Sequence, residues 1–330
     1  MGRSRHRRAA GHALVRRSRR ALLAAWRAQV REHRVVSDAA AAGHAGAAVA
    51  APFDVAVVGA GIAGLAAAAL LARAGRRVVV LEAHSLPGGC ASYFTRERFR
   101  FDVGATTLSG MRADGPVARL LATLGIDPVD DLGLVRHDPG VVFHDERGVV
   151  RRFADPARWR AEAARACAAP EDGDFGRFVA AVEATADRAW HAAPRLGALR
   201  PSGLREWAAW LSPARIGLAA LLPALRRPVA AELARCGVQR ESRAWRFVAE
   251  QLAITTQRSP EETPWLMGAM GLAYPRDTWS VRGGLGALPQ AMVRVVQRAG
   301  GELRWRTRAI ALRRLPRGGG SRFEVAYAGP

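Results

Sequence analysis

The stretch Val55-Ala56-Val57-Val58-Gly59-Ala60-Gly61-Ile62-Ala63-Gly64 decides how this chain folds. A small-residue run continues from it to Ala74-Gly75, and Arg76-Arg77-Val78-Val79-Val80-Leu81-Glu82 follows. Val55–Ala72 carries no formal charge over 18 residues, long enough to be weighed as a membrane span. Its internal pattern points elsewhere. Two short β-branched runs flank a glycine turn and an alanine-rich segment, which reads as strand, turn, helix and strand. Gly59 permits the sharp turn out of the first strand. Gly61 has no side chain, so a pyrophosphate can approach its backbone. Gly64 lets the helix pack closely on the sheet. The helix start at Ile62 and Ala63 then offers free N–H groups to the phosphates. Glu82 ends the second strand, where a carboxylate accepts both hydroxyls of an adenosine ribose and disfavours a 2′-phosphate, which argues against NADP. The reading is a dinucleotide-binding βαβ unit.

Beyond Glu82-Ala83 come Leu86-Pro87-Gly88-Gly89-Cys90-Ala91-Ser92 and Phe101-Asp102-Val103-Gly104-Ala105-Thr106. A second glycine pair soon after the ribose acid suits a second backbone approach to a diphosphate. Taken with Val57–Leu65 and Leu81-Glu82-Ala83, these motifs resemble the FAD-binding start of the phytoene desaturase, carotenoid isomerase and retinol saturase group. That group lies within the wider flavin amine oxidase superfamily. Many amine oxidases have arginine after the glycine pair; this chain has Cys90, as polyene-acting members often do. The resemblance implies FAD as cofactor, held by Gly59, Ala60, Gly61, Ile62, Ala63, Gly64, Glu82, Ala83, Gly88, Gly89, Cys90, Ala91 and Gly104.

A second block, Arg282-Gly283-Gly284-Leu285-Gly286-Ala287-Leu288-Pro289-Gln290, precedes a helix to about Arg298. Gly300-Gly301-Glu302-Leu303 then turns into a strand, and Thr307-Arg308-Ala309-Ile310 follows. This resembles the family segment in which the chain returns to the FAD domain, where the backbone near Ala309 would meet the adenine edge. The family residue is usually valine, so Ala309 is a departure. The fold class expected is α/β: a segmented GR2-type Rossmann-like domain with an inserted α+β substrate or cap domain. The expected boundaries are a basic tail at 1–51, the first FAD segment at 52–110, the cap at 111–275 and the returning segment at 276–330. Family members run longer and close with another glycine-rich block against the flavin. The expectation is therefore that the C-terminal part of the fold is missing here and that FAD retention is weak.

The middle of the chain reads as alternating elements. Val117, Leu120, Leu121 and Leu124 share one face of a helix over Pro116–Leu124. Val135–Phe143 and Val149–Phe153 read as strands joined by a turn at Asp145–Gly148. Pro156–Ala169 and Phe175–Trp190 read as helices, the first capped by Asp155 with proline following. Residues 188–240 hold nine arginines against Glu206 and Glu232, interleaved with Trp190, Trp207, Trp210 and the apolar run Ile216–Leu225. Tryptophan favours a membrane interface and arginine favours anionic headgroups. Helices over 204–227 are therefore one candidate for peripheral membrane contact; a core helix pair with solvated arginines is the other reading.

The chain has 330 residues and a formal net charge of +21. Every basic residue is arginine, which marks codon bias more than nucleic-acid binding. Residues 1–50 alone hold 11 arginines against two acids. Cys90, Cys167 and Cys236 are too few and too scattered for a disulfide scaffold, which fits a cytoplasmic protein, with peripheral attachment at the inner membrane face kept open. The eight histidines show no metal-ligand spacing and there is no paired-cysteine motif, so no metal is expected. No catalytic residue is assigned, as suits an enzyme whose cofactor carries the reaction. The resemblance implies an FAD-dependent oxidoreductase acting on a polyene isoprenoid by desaturation or isomerisation. The alternatives are an amine- or porphyrinogen-oxidase-like flavoenzyme, or a non-catalytic remnant that binds FAD weakly. No nucleic-acid partner is expected.

Overall fold

The computed structural model describes residues 53–112, 115–192, 222–316 and 322–329. In chain order the elements begin β1 (Val55–Val58), α1 (Ile62–Arg73), β2 (Val78–Leu81), β3 (Tyr93–Arg96) and β4 (Phe99–Asp102). Next come α2 (Pro116–Leu124), β5 (Leu134–Arg136), β6 (Val141–Asp145), β7 (Gly148–Arg152), α3 (Pro156–Ala166) and α4 (Phe175–Ala192). They are followed by α5 (Leu222–Arg226), α6 (Val229–Arg235), α7 (Arg243–Thr255), α8 (Trp265–Ala273) and β8 (Trp279–Val281). The chain closes with α9 (Ala287–Arg298), β9 (Glu302–Arg304), β10 (Arg308–Arg314) and β11 (Phe323–Ala328). The chain divides into two compact units. One combines residues up to Gly104 with residues from Leu288 onward, and the other is Ala105–Ala287.

The first unit is built on a parallel sheet ordered β1-β2-β9. Val55 faces Val78 and Val58 faces Leu81, while Val79 and Leu81 face Glu302 and Arg304. β2 is central, and all four of its side chains are buried, which is why it reads as an unbroken Val-Val-Val-Leu run. The crossover helix α1 buries Leu65, Ala68, Ala69 and Ala72. It stops at Gly75, whose φ of +78° supplies the left-handed residue of a Schellman closure. Arg76 donates to the Leu71 carbonyl and Gly75 to that of Ala72. α9 ends in the same way at Gly300, with Gly301 donating to Val296. β3 and β4 form a hairpin, and β10 pairs antiparallel with β11 through a bulge between Ala309 and Ala311.

The second unit is α+β, and its core is aromatic. Trp159, Phe175, Phe178, Phe247 and Trp265 are all buried, in edge-on or stacked contacts with centroids 5.5–6.4 Å apart. α8 lies against α4, and Trp265 Nε1 donates to Thr185 Oγ1 at 3.2 Å. Gly268 makes room for Val229, since a Cβ there would sit 2.2 Å from its Cγ2. Two ion pairs run through this core. Arg243 forks onto Asp145 at 3.0 and 2.7 Å, each side chain 5% exposed. Arg152 lies 3.4 Å from Glu183 and over the Trp159 ring. Burial pulls the Arg152 guanidinium down to about 10 and raises the Glu183 carboxyl.

Several sequence expectations need adjusting in this unit. The single strand read over Val135–Phe143 is two strands, β5 and β6, separated by Asp138-Pro139-Gly140. Proline has no N–H for a ladder. β5 pairs with β8 instead, and β6 with β7. The helix read to Ala169 ends at Ala166, ahead of Pro170. Its Asp155 cap is present, accepting from the Arg158 N–H at 2.8 Å. Residues 105–110 and 276–287 group with the second unit, although sequence placed them with the nucleotide segments. Leu108 and Trp279 exchange backbone hydrogen bonds at 2.8 and 2.9 Å. Asp277 accepts from the N–H groups of Gly110 and Met111 and from Trp279 Nε1.

Candidate dinucleotide site

The site lies within the first unit, at the carboxyl ends of β1 and β2, where ligands bind in open α/β sheets. Gly59 leaves β1 with φ +95°, a conformation that L side chains rarely adopt. Gly61 is the N-cap of α1, and no side chain caps its N–H groups. A Cβ built on Gly61 meets nothing within 4 Å, so the face from which a phosphate would approach is open. Gly64 is the opposite case. A Cβ there would lie 2.2 Å from the Gly59 carbonyl oxygen and 3.3 Å from Val57 Cγ1. The three glycines thus differ in geometry: Gly59 turns the chain, Gly61 leaves an open face and Gly64 allows close packing.

The second glycine pair folds against the first. Gly88 donates to the Ala60 carbonyl at 2.8 Å and bridges Gly61. A Cβ on Gly89 would stand 3.5 Å from the Gly61 Cα. Gly88 holds φ +113° and Gly89 φ +58°, and a single 3-10 turn over Gly89–Ala91 follows. Gly104 closes on the same turn, because its Cβ would be 3.2 Å from the Cys90 carbonyl oxygen. Cys90 is exposed, whereas Cys167 and Cys236 are buried. Burial pushes the Cys167 thiol up to about 12 and raises that of Cys236.

Glu82 is buried between the two turns. Its Oε2 accepts from the Ala60 N–H at 2.6 Å and its Oε1 from the His84 N–H at 2.8 Å. Sequence reasoning placed this carboxylate against a ribose and missed its backbone partners. Each oxygen accepts one N–H and keeps further acceptor capacity. The Glu82 backbone also ties in the returning segment, donating to Arg304 and accepting from Thr307, at 2.9 and 2.8 Å. Ala309 follows two residues later, in β10 opposite Tyr327. The residues singled out at 59–64, 82–83, 88–91 and 104 thus lie on segments held together at these strand ends, and the segment carrying Ala309 is tied to Glu82. Ile62 and Ala63 open α1, and Ala83 separates Glu82 from His84.

Residues 57–124 match the family model described as an NAD(P)-binding Rossmann-like domain. Over 93 residues the chain is 41% identical to prolycopene isomerase 2, chloroplastic, of an Oncidium hybrid cultivar, covering 28% of this chain and 16% of that protein. Over 68 residues it is 46% identical to human all-trans-retinol 13,14-reductase, covering 21% of this chain and 11% of that protein. A solved structure of a Pyrococcus furiosus protein shares the fold, with TM-score 0.50 and 18% identity over 77% of this chain and 51% of its own. The chain carries a Rossmann-like dinucleotide-binding domain in an α/β fold. The resemblance to the phytoene desaturase, carotenoid isomerase and retinol saturase group is borne out by these relatives, and the matched stretches span far less than two thirds of their lengths.

Other expectations meet the structure only in part. The basic tail at 1–51 lies outside the described residues, as does most of the Trp/Arg stretch at 188–240, including residues 193–221. Among the described residues no helix is long and apolar enough to cross a membrane. Among them, too, no group of three or more His, Cys, Asp or Glu is placed to hold a metal.

Proposed function

We propose that the first unit binds FAD and that the chain belongs to an oxidoreductase acting on a long conjugated isoprenoid, by desaturation or cis–trans isomerisation. One observation carries this reading: two glycine turns meet backbone to backbone, with a buried carboxylate between them. The Gly59–Gly64 turn and the start of α1 suit a pyrophosphate, and Glu82 suits the ribose of its adenosine half. A negative group at Glu82 repels a 2′-phosphate, which favours FAD or NAD over NADP. The turn at Gly88–Ala91, with Gly104 behind it, gives a second close backbone approach and favours the longer FAD. Bound FAD supplies hydride and electron transfer. The chain's own groups hold the cofactor: N–H dipoles toward phosphate, Glu82 toward ribose hydroxyls, and bare glycine backbone where a Cβ would intrude.

The polyene substrate class rests on what the relatives are named for, a carotenoid isomerase and a retinol reductase. The test is reconstitution of the full chain with FAD, NAD+ and NADP+ in parallel, followed by flavin fluorescence quenching and equilibrium dialysis. FAD is expected to bind, and NADP+ is not. Binding of NADP+ in preference to FAD would refute the cofactor assignment. Turnover of a poly-cis carotene by the reconstituted protein, with no turnover of a primary amine, would support the substrate class, and the reverse result would replace it.

A further inference from the structure

Within the second unit, one side of α4 gathers more arginines than its acids balance. Glu183 and Asp187 stand four residues apart on that helix, so their side chains leave the same side of it. Glu183 meets Arg152 from β7 at 3.4 Å and Arg160 from α3 at 3.7 Å. Asp187 Oδ1 receives Arg276 at 2.7 Å and Arg112 at 3.5 Å. Four guanidinium groups thus share two carboxylates, and two positive charges are left without a counter-charge. The neighbouring Arg158–Asp138 pair is balanced in itself and does not alter that excess.

The inner part of the cluster is not a solvated surface. The Arg152 side chain is 2% exposed, and those of Glu183 and Arg276 are each 11% exposed. Charge held away from water is costly unless an opposite charge meets it. Arg276 has five N–H donors, and among the described residues Asp187 Oδ1 is the one acceptor they meet. Arg112 and Arg276 converge on that single oxygen, and the Asp187 side chain that carries it is half-exposed. Two guanidinium groups aimed at one oxygen, with their other N–H edges unused, suit the clamping of an oxyanion. The backbone holds the pair in place. Asp277 accepts the N–H groups of Gly110 and Met111, and Leu108 exchanges backbone hydrogen bonds with Trp279. These bonds fix the segment leading to Arg112 beside the Tyr274–Asp277 turn that carries Arg276.

We propose that Arg112 and Arg276 bind a phosphate group of a small-molecule ligand, with Arg152 and Arg160 supplying positive charge behind them. A phosphate carries about two negative charges near pH 7, which matches the excess of the cluster, and offers three acceptor oxygens to two planar forks. A carboxylate carries one charge and leaves half of the excess. The phosphate is either inorganic or the end of a phosphorylated organic molecule. The site belongs to the second unit and stands whether or not the nucleotide of the first unit is FAD.

The test is calorimetric titration of the full chain with inorganic phosphate and with an isoprenyl monophosphate, against chloride at matched ionic strength. Both phosphates are expected to bind. Equal affinities identify inorganic phosphate as the ligand, and tighter binding of the isoprenyl compound identifies an organic one. Arg276→Gln should weaken binding at least about tenfold, as should Arg112→Gln, whose exposed position spares the fold. Asp187→Asn should tighten binding, because it removes the carboxylate that competes for the same two arginines. A network that serves stability alone predicts otherwise: all three variants would lower Tm, and none would change a response to phosphate. Phosphate binding that is the same in the parent and the three variants, or heat that chloride reproduces, would overturn the proposal. Binding that survives Arg276→Gln and is lost in Gly61→Ser would also overturn it, by placing the anion in the first unit.

Discussion

Gly61 and Gly64 lie one helical turn apart, and substitutions at them should fail in opposite ways. At Gly64 an added Cβ falls 2.2 Å from the Gly59 carbonyl oxygen, more than 1 Å inside ordinary contact. That carbonyl cannot easily retreat, because Gly59 is itself held by its N–H on the Leu81 carbonyl at 2.8 Å. α1 must lift from β1 instead, which loosens the packing under Leu65 and Ala68. Overpacking of this kind costs about 1–3 kcal/mol. The better helix propensity of alanine returns at most about 1 kcal/mol. Gly64→Ala should therefore lower the stability of the nucleotide-free protein by about 1–2 kcal/mol, or several degrees in Tm. Gly61 has φ −70° and ψ 171°, open to any residue, and its Cβ meets nothing. Serine there also adds a cap to the bare start of α1, so Gly61→Ser should hold or raise stability by a few tenths of a kcal/mol. Its side chain occupies the phosphate approach, and FAD binding should fall at least tenfold, or about 1.4 kcal/mol. Thermal unfolding without nucleotide and a fluorescence titration with FAD, run on both variants, measure the two effects. Parent-like FAD binding by Gly61→Ser would refute the site. Parent-like stability in Gly64→Ala would refute the packing argument.

Three further outcomes are expected. A native thiol titration should label Cys90 quickly and leave Cys167 and Cys236 unreacted until the chain is denatured, since those two are buried with raised pKa values; saturating FAD should slow the Cys90 reaction, and equal labelling of all three thiols would contradict this burial. Glu183 titrates above the ordinary carboxylate range because it is buried, so its stabilising contribution is whole at pH below that range and is lost as pH rises through the shifted value. The unfolding free energy of the parent minus that of Glu183→Gln, followed by urea unfolding, should accordingly fall as pH rises through the carboxylate range; a rise in that signed difference would show that the ionised form is the favoured one. Replacing Arg243 with methionine leaves the buried Asp145 carboxylate only the Arg147 N–H and the half-exposed Arg246 at 3.8 Å, and should cost about 3–5 kcal/mol in unfolding experiments, whereas a loss below about 1 kcal/mol would mean that these partners suffice.

The nucleotide half was legible because its signals are local. β1, α1 and β2 are punctuated by glycines at 59, 61, 64 and 75 that stand out in the sequence, and the all-buried β2 announces itself as an unbroken β-branched run. The helices α2 and α4 were read nearly to their ends from apolar periodicity. The misreading over Val135–Phe143 has a physical source. Arg136-His137-Asp138-Pro139-Gly140 interrupts the apolar residues and was legible as a turn, but β5 takes its partner, β8, from far along the chain. No window of sequence contains that pairing. The buried pairs Arg152–Glu183 and Arg243–Asp145 were equally hidden, because their members look like the surface arginines and acids that fill the rest of the chain. Glu82 was singled out in the sequence for an expected contact with a ribose. Its two backbone bonds depend on where the Gly59–Gly64 turn and His84 come to rest, which only the folded crevice defines.

The interleaving of the parallel sheet sets an order of events during synthesis. β9 docks on β2, yet it leaves the ribosome roughly 220 residues after it. At about 5–20 residues per second, β2 waits on the order of 10–40 s for its second neighbour. Throughout that interval the whole of Ala105–Ala287 becomes available, and its contacts can close within one continuous stretch. The unit that begins the chain is thus the last to be completed, and a nascent β2 must be shielded along an apolar edge until then. A ribosome stalled before Glu302 would leave the parallel sheet without β9.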